Sequence, residues 1–110
     1  MIRIRQHELI NIFVERIKSL YRKKRISVIL YDSFARDDDI PESDIDFLVI
    51  LPDFENFWTE FKKISEITNE LSLDYGKVIS AIPVKAVEYA TGMDPLIRNV
   101  RKEGIVCGTT

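Results

Sequence analysis

The sequence is poor in the residues that supply sulfur and imidazole ligands. Its 110 residues include one cysteine, Cys107, and one histidine, His7. A single cysteine cannot form an internal disulfide and has no second thiol with which to hold a metal. We interpret Cys107 as a small, half-buried apolar residue. His7 has no second candidate ligand or nucleophile nearby, and we interpret it as a surface residue.

Long apolar runs are also missing. No run approaches the roughly 20 residues that cross a bilayer, and the N-terminal stretch MIRIRQHELI lacks the apolar core of a signal peptide. We therefore expect no membrane contact and a cytoplasmic location. A composition of 45% hydrophobic and 31% charged residues is that of a globular protein. A chain of this length buries one core, so we predict a single domain over residues 1–110.

Charge is unevenly distributed along the chain. Residues 1–25 carry eight lysines and arginines against two glutamates, and the basic run at 22–25 is typical of a solvated helix end. We favour that interpretation over a nucleic-acid patch. Seven acidic side chains then fall between positions 32 and 46, against the single base Arg36. They are Asp32, Asp37, Asp38, Asp39, Glu42, Asp44 and Asp46.

Hydrophobic periodicity predicts the first half of the fold. Apolar residues at spacings of three and four predict an amphipathic helix over residues 7–24. The β-branched run ISVILY (26–31) predicts a buried strand, and DIDFLVIL (44–51) a second strand. In that second strand Asp44, Asp46, Leu48 and Ile50 share one face. Because it is apolar on both faces beyond Asp46, we expect it to be central.

The second half contains further helices and two strands. Residues 54–73 predict a long helix whose apolar stripe holds Phe57, Phe61, Ile64 and Leu71, with Trp58 at its edge. KVISAIPV (77–84) predicts a third strand that Pro83 limits at its far end. Short helices at 85–91 and 95–102 and a last strand at IVC follow. This order predicts an α+β (α/β-like) domain with helices covering one side of a three- or four-stranded sheet.

Two features of the acidic segment point to phosphate chemistry. Asp44 and Asp46 are two residues apart on one strand face, roughly 7 Å along the backbone, so that both could reach one hard cation. Carboxylates suit Mg²⁺ and Mn²⁺, and Mg²⁺ is commonly shared with substrate phosphates. Ser33 opens a short turn, SFAR, whose hydroxyl and backbone N–H groups could bind an anion or simply cap the turn.

These residues resemble the signature of the minimal nucleotidyltransferases of the DNA polymerase β superfamily. That signature is G-S-x-A-R-G, a variable loop, and S-D-I-D before an apolar strand. The matching residues are Ser33, Ala35, Arg36, Ser43, Asp44, Ile45 and Asp46. The preceding helix, the third strand and the ending DPLIRNVRKEGIV are also similar, so the resemblance covers nearly the whole chain.

The resemblance implies a fold, an activity and partners. It implies a palm-like mixed sheet and Mg²⁺-dependent (or Mn²⁺-dependent) transfer of a nucleoside monophosphate, with AMP from ATP as the expected group. Asp44 and Asp46 are then the catalytic and metal-binding residues, and Ser33, Arg36 and Ser43 bind the nucleotide. Arg36 could equally serve to neutralise the carboxylates around it. Members of this family are commonly encoded with a small helical HEPN protein in toxin–antitoxin pairs, and a homodimer is an open alternative.

Three residues depart from the family pattern. Asp32 and Asp37 replace both signature glycines, and Asp32 would bring bulk and negative charge to the triphosphate site. The third carboxylate that active members place on the next strand corresponds to Ser80, and serine replaces a carboxylate poorly as ligand or base. Asp74 and Glu88 are remote substitutes. A second hypothesis is therefore a catalytically weak relative that acts as an antitoxin by binding a helical partner, and a third is a cation-binding loop without nucleotide chemistry.

Overall fold

The computed structural model of the protein describes residues 4–31 and 45–110, with side chains from residue 7 onward in the first segment. Every predicted element is present among these residues, with shifted ends. The elements are α1 (Ile4–Leu20), β1 (Ser27–Tyr31), β2 (Ile45–Leu51), α2 (Phe57–Tyr75), β3 (Ile79–Lys85), α3 (Ala86–Thr91), α4 (Pro95–Glu103) and β4 (Ile105–Thr109).

The strands form one mixed four-stranded sheet in the order β3-β2-β1-β4. β1 pairs antiparallel with β2 and with β4, whereas β2 and β3 run parallel. All seven residues of β2 are buried, which confirms the prediction that this apolar strand is central. The predicted α+β class with a small mixed sheet covered by helices is also confirmed.

The prediction that helices cover one side of the sheet is wrong, because both sides are covered. On one side Phe47 and Val49 of β2 pack with Phe13 of α1 and Ile64 of α2. The rings of Phe13 and Phe47 stack with centroids 4.2 Å apart. On the other side Leu48 and Ile50 of the same strand pack with Val100 of α4. Successive side chains of β2 project to opposite faces of the sheet, and beyond Asp46 they are all apolar. Both faces must therefore be buried under helices.

Polar contacts join the two long helices above the larger core. The hydroxyl of Tyr21, just after α1, donates a buried 2.7 Å hydrogen bond to Oε1 of Glu60 in α2. Arg16 of α1 pairs with Glu70 of α2 at the surface. These contacts fix α1 against α2 at two separate points along α2.

The apolar stripe of α2 is rotated from the predicted one. Ile64, Ile67 and Leu71 are buried, whereas Phe57 and Phe61 are half-buried and Trp58 is 69% exposed. The three aromatic rings contact one another, with centroid distances of 4.9 to 5.7 Å. In the first turns of α2 the inward position is occupied by Glu60, which bonds to Tyr21. The three aromatic side chains therefore pack against one another in a separate cluster.

The third strand also differs from its prediction. β3 passes through Pro83 and continues to Lys85. It is an edge strand, and an edge strand tolerates proline because one side of its backbone needs no partner. Before it, Gly76 ends α2 with φ of 65° in the left-handed region, where glycine is favoured. The backbone N–H of Ile79 then donates to Ser72 Oγ at 3.2 Å, which fixes where β3 begins.

Among the residues that the structure describes, no helix is long and apolar enough to cross a membrane.

Candidate active site

The candidate site is built around Asp46, the second residue of β2. In the sheet register Asp46 lies opposite Tyr31 of β1 and beside Ser80 of β3. Directly paired residues on neighbouring strands project to the same face. Tyr31, Asp46 and Ser80 therefore form a row of three polar side chains across the sheet.

This row lies at one end of the sheet because of the strand directions. β1 runs toward Tyr31 and ends there, while β2 and β3 both begin at this end. The N–H of Ile45 donates to the carbonyl oxygen of Val78 at 3.0 Å, which ties the start of β2 to the chain just before β3. The chain leaves the described sheet at Tyr31 and re-enters it at Ile45. Both ends of segment 32–44 thus meet the described chain beside Asp46.

Asp46 is 8% exposed, which is low for a carboxylate. It shares its face with the apolar residues Leu48 and Ile50. The phenol of Tyr31 reports on this environment, because burial and then the negative charge of Asp46 raise its pKa to about 12. At neutral pH Tyr31 is therefore a protonated hydroxyl that can only donate to, and cannot repel, a neighbouring anion.

Several predicted site residues lie outside the described residues. They are Ser33, Arg36, Ser43 and Asp44, together with the two replaced glycine positions, Asp32 and Asp37. Asp46 is the described member of the predicted acidic pair. Within residues 4–31 and 45–110 no group of three or more His, Cys, Asp or Glu side chains could hold a metal ion. The metal and nucleotide assignments therefore stay predictions.

The structure does describe the position predicted for the third carboxylate. Ser80 is the parallel partner of Asp46 and is exposed, so a residue at this position can reach the same space as Asp46. Asp74, in the last turn of α2, and Glu88, in α3, are exposed and lie on other elements. Neither is a register partner of Asp46.

Sequence reasoning missed two features of this face. The sequence predicts Tyr31 only as the last residue of a strand, although alternation along ISVILY together with antiparallel pairing to the next strand would place it with Asp46. The second feature is a groove of about 620 Å³ farther along the same face. Its floor includes Leu48 and Ile82, which lie two residues beyond Asp46 and Ser80, and its rim includes Met93 and Leu96. Apolar grooves of this size accommodate small organic groups.

Comparison with known proteins identifies the family. Residues 10–107 match the family described as "Nucleotidyltransferase domain". The chain is 36% identical over 77 residues to "Putative protein adenylyltransferase MJ0604" of Methanocaldococcus jannaschii, covering 70% of this chain and 71% of that protein. It is also 36% identical over 78 residues to "Putative protein adenylyltransferase MJ0141" of the same organism, covering 71% and 78%. No solved structure matches the chain. The buried carboxylate at the start of a central strand thus belongs to a minimal nucleotidyltransferase, an enzyme of the nucleotidyltransferase domain family.

Proposed function

We propose that the protein transfers AMP from ATP to a hydroxyl group on another protein. The observation that carries this proposal is the position of Asp46, a buried carboxylate at the start of the central strand beside the open position of Ser80. The names of the two relatives support a protein acceptor and an adenylyl group. In the reaction the acceptor oxygen bonds to the α-phosphorus, pyrophosphate leaves, and the acceptor proton is lost.

The residues of the site suit a divalent cation. Asp46 would hold Mg²⁺ or Mn²⁺ together with Asp44, because carboxylate oxygens are the ligands these hard cations prefer. A bound ion supplies charge neutralisation for the triphosphate. The protein itself contributes Ser33, Ser43 and Arg36 as phosphate-binding groups. Tyr31, protonated at neutral pH, borders Asp46 without adding negative charge.

We propose that the acceptor hydroxyl belongs to a separate protein. The sheet and its four helices account for most of the described residues, so the described part of the chain holds no second module that could present a hydroxyl. The proposed acceptor is a small helical partner of the HEPN type. In such a pair this protein would be the antitoxin, and it would silence the helical partner by adenylylation.

Ser80 favours a second candidate function. Because a serine rather than a carboxylate stands beside Asp46, transfer could be slow, and the protein could neutralise its helical partner by binding alone. The two functions differ in their dependence on Asp46. Binding alone survives the change Asp46→Asn, whereas neutralisation by adenylylation does not.

The test is label transfer with each of four nucleoside triphosphates labelled at the α-phosphate. The protein and a co-purified helical partner are incubated with Mg²⁺, and the partner is analysed for label. We expect label from ATP, loss of it in Asp46→Asn, and retention in the control Asp53→Asn. Asp53 is exposed, and its Oδ1 accepts from the N–H of Phe54 at 2.8 Å, a bond that asparagine preserves. No label with any nucleotide, or equal labelling by Asp46→Asn, would refute the proposal.

A further inference from the structure

The groove on the α3 and α4 face of the sheet has an apolar floor and an apolar mouth. Leu48 and Val84 line it and are buried. Met93 and Leu96 also line it, and they are 73% and 38% exposed. Large apolar side chains exposed beside an apolar hollow are typical of a surface that receives an apolar group from a ligand.

The connection between α3 and α4, which lines part of the groove, is held in place by hydrogen bonds. Arg101 Nη1 donates to the carbonyl oxygen of Tyr89 at 2.8 Å and to that of Gly92 at 2.9 Å. Asp94 Oδ1 accepts from the N–H of Leu96 at 2.8 Å and so caps the start of α4. This part of the groove is therefore formed before any ligand binds.

The charged residues that line the groove are mostly acidic. They are Glu55, Glu88 and Asp94, against Lys85. The Nζ of Lys85 lies 3.6 Å from Oδ1 of Asp53, so its charge is already matched. Among the described residues, no cation lies within ion-pair distance of the three acidic side chains of the groove. The groove therefore favours a cationic ligand and disfavours a phosphate.

These charges decide between the available occupants. Segment 32–44 of this chain, which lies outside the described residues, carries six acidic residues against Arg36, so its charge has the same sign as that of the groove. The triphosphate of a nucleotide is anionic as well. A segment of another protein that combines an apolar side chain with lysine or arginine is complementary to the groove both in polarity and in charge.

We propose that the groove binds a segment of the acceptor protein in which an apolar side chain is flanked by lysine or arginine. The inference rests on the proposed transfer to a protein, and it adds which part of the acceptor is recognised. Leu48 lies two residues beyond Asp46 on the same face of β2, roughly 7 Å along the strand. An apolar side chain over Leu48 therefore brings hydroxyl groups of nearby acceptor residues to the start of β2, while the flanking cations meet Glu55 and Glu88.

The test measures the binding of labelled synthetic peptides to the full chain by fluorescence anisotropy, without ATP or Mg²⁺. The probe carries one leucine with two lysines on each side, and two companion peptides replace the lysines by glutamates or the leucine by serine. We expect the probe to bind at least about tenfold more tightly than either companion, and added salt to weaken it. The probe should bind Asp46→Asn equally well, so failure of adenylyl transfer would leave this result unchanged.

Charge variants separate binding in the groove from general attraction to acidic side chains. Glu55→Gln combined with Glu88→Gln should raise the dissociation constant of the probe at least about threefold, since each exposed charge pair contributes little. The matched control is Glu66→Gln combined with Glu103→Gln. These two glutamates are exposed and do not line the groove, so the control removes the same charge and should leave binding unchanged.

An apolar variant tests the other half of the proposal. Met93→Ser should weaken binding of the probe, whereas Leu73→Ser should not, because Leu73 is 84% exposed on α2 and does not line the groove. Equal binding of the three peptides, or equal effects of the groove variants and their controls, would overturn the inference. Displacement of the probe by adenosine would overturn it as well, because a nucleoside would then be the occupant.

Discussion

At the scale of single residues, the sheet register brings Tyr31, Asp46 and Ser80 into one row. Asp46 lies between the hydroxyl of Tyr31, which stays protonated at neutral pH, and the hydroxyl of Ser80, which cannot replace a carboxylate. Within this row, Ser80 is the residue that departs from the family pattern. A change there should alter metal affinity without disturbing the core, because Ser80 is exposed.

We predict that Ser80→Asp strengthens metal binding and transfer. In the absence of metal the new carboxylate faces Asp46 across the strands, and a like-charge pair of this kind costs about 0.2–1 kcal/mol. Mg²⁺ should therefore raise the melting temperature of Ser80→Asp more than that of the unmodified protein. Ser80→Asn is the neutral control of similar shape. Equal responses of the aspartate and asparagine variants to Mg²⁺ would mean that position 80 does not face the metal. Adding Asp32→Gly should increase transfer further.

Tyr31 leads to a prediction about alkaline pH. Its folded pKa of about 12 lies above the ordinary value of 10.0, so the folded state holds the phenolic proton more tightly than the unfolded state does. The resulting stabilisation is complete below pH 10 and is lost as pH rises toward 12. Urea unfolding at a series of pH values should show a smaller alkaline loss in Tyr31→Phe than in the unmodified protein. Parallel losses in the two proteins would contradict the raised pKa of Tyr31.

The face of β2 to which Asp46 projects can be predicted from the sequence for a simple reason. A carboxylate interrupting an apolar run is conspicuous, and alternation along the strand fixes the face to which it projects. The identity of its neighbours depends on strand register, which a single sequence does not specify. Tyr31 was therefore missed, whereas Ser80 was found through the resemblance to a known family.

At the scale of elements, periodicity predicted which segments are helices and strands, and contacts between elements decided the details. The stripe of α2 is rotated because Glu60 turns inward to meet Tyr21, which leaves Trp58 in solvent. Pro83 does not end β3 because the strand lies at an edge. Both outcomes depend on a partner element that is distant in the sequence.

The contact between Tyr21 and Glu60 provides a test of how the two long helices are joined. Tyr21→Phe removes the donor from a carboxylate that is 7% exposed, and we expect a loss of about 1–3 kcal/mol in the free energy of unfolding. Among the described side chains, Glu60 then keeps the weaker contact with Lys63 Nζ at 3.4 Å. Replacing both partners, as in Tyr21→Phe with Glu60→Leu, should cost less than the sum of the two single changes. Additive losses in urea unfolding would show that the two side chains are not coupled.

At the scale of the whole molecule, the described chain is a four-stranded sheet with helices on both faces. The larger core holds α1 and α2 on one face, and the smaller core holds α3 and α4 on the other. The polar row and the groove both lie on the face that α3 and α4 cover.

The central claim is that Asp46 helps to hold Mg²⁺ and a nucleoside triphosphate at the start of β2. Calorimetric titration of the protein with a non-transferable ATP analogue, in the presence and absence of Mg²⁺, tests this claim without knowledge of the acceptor. We predict binding to the unmodified protein and to Asp53→Asn, and affinity at least about tenfold lower in Asp46→Asn, a loss of about 1.4 kcal/mol or more. Equal affinity of all three proteins, or binding that does not depend on Mg²⁺, would contradict it.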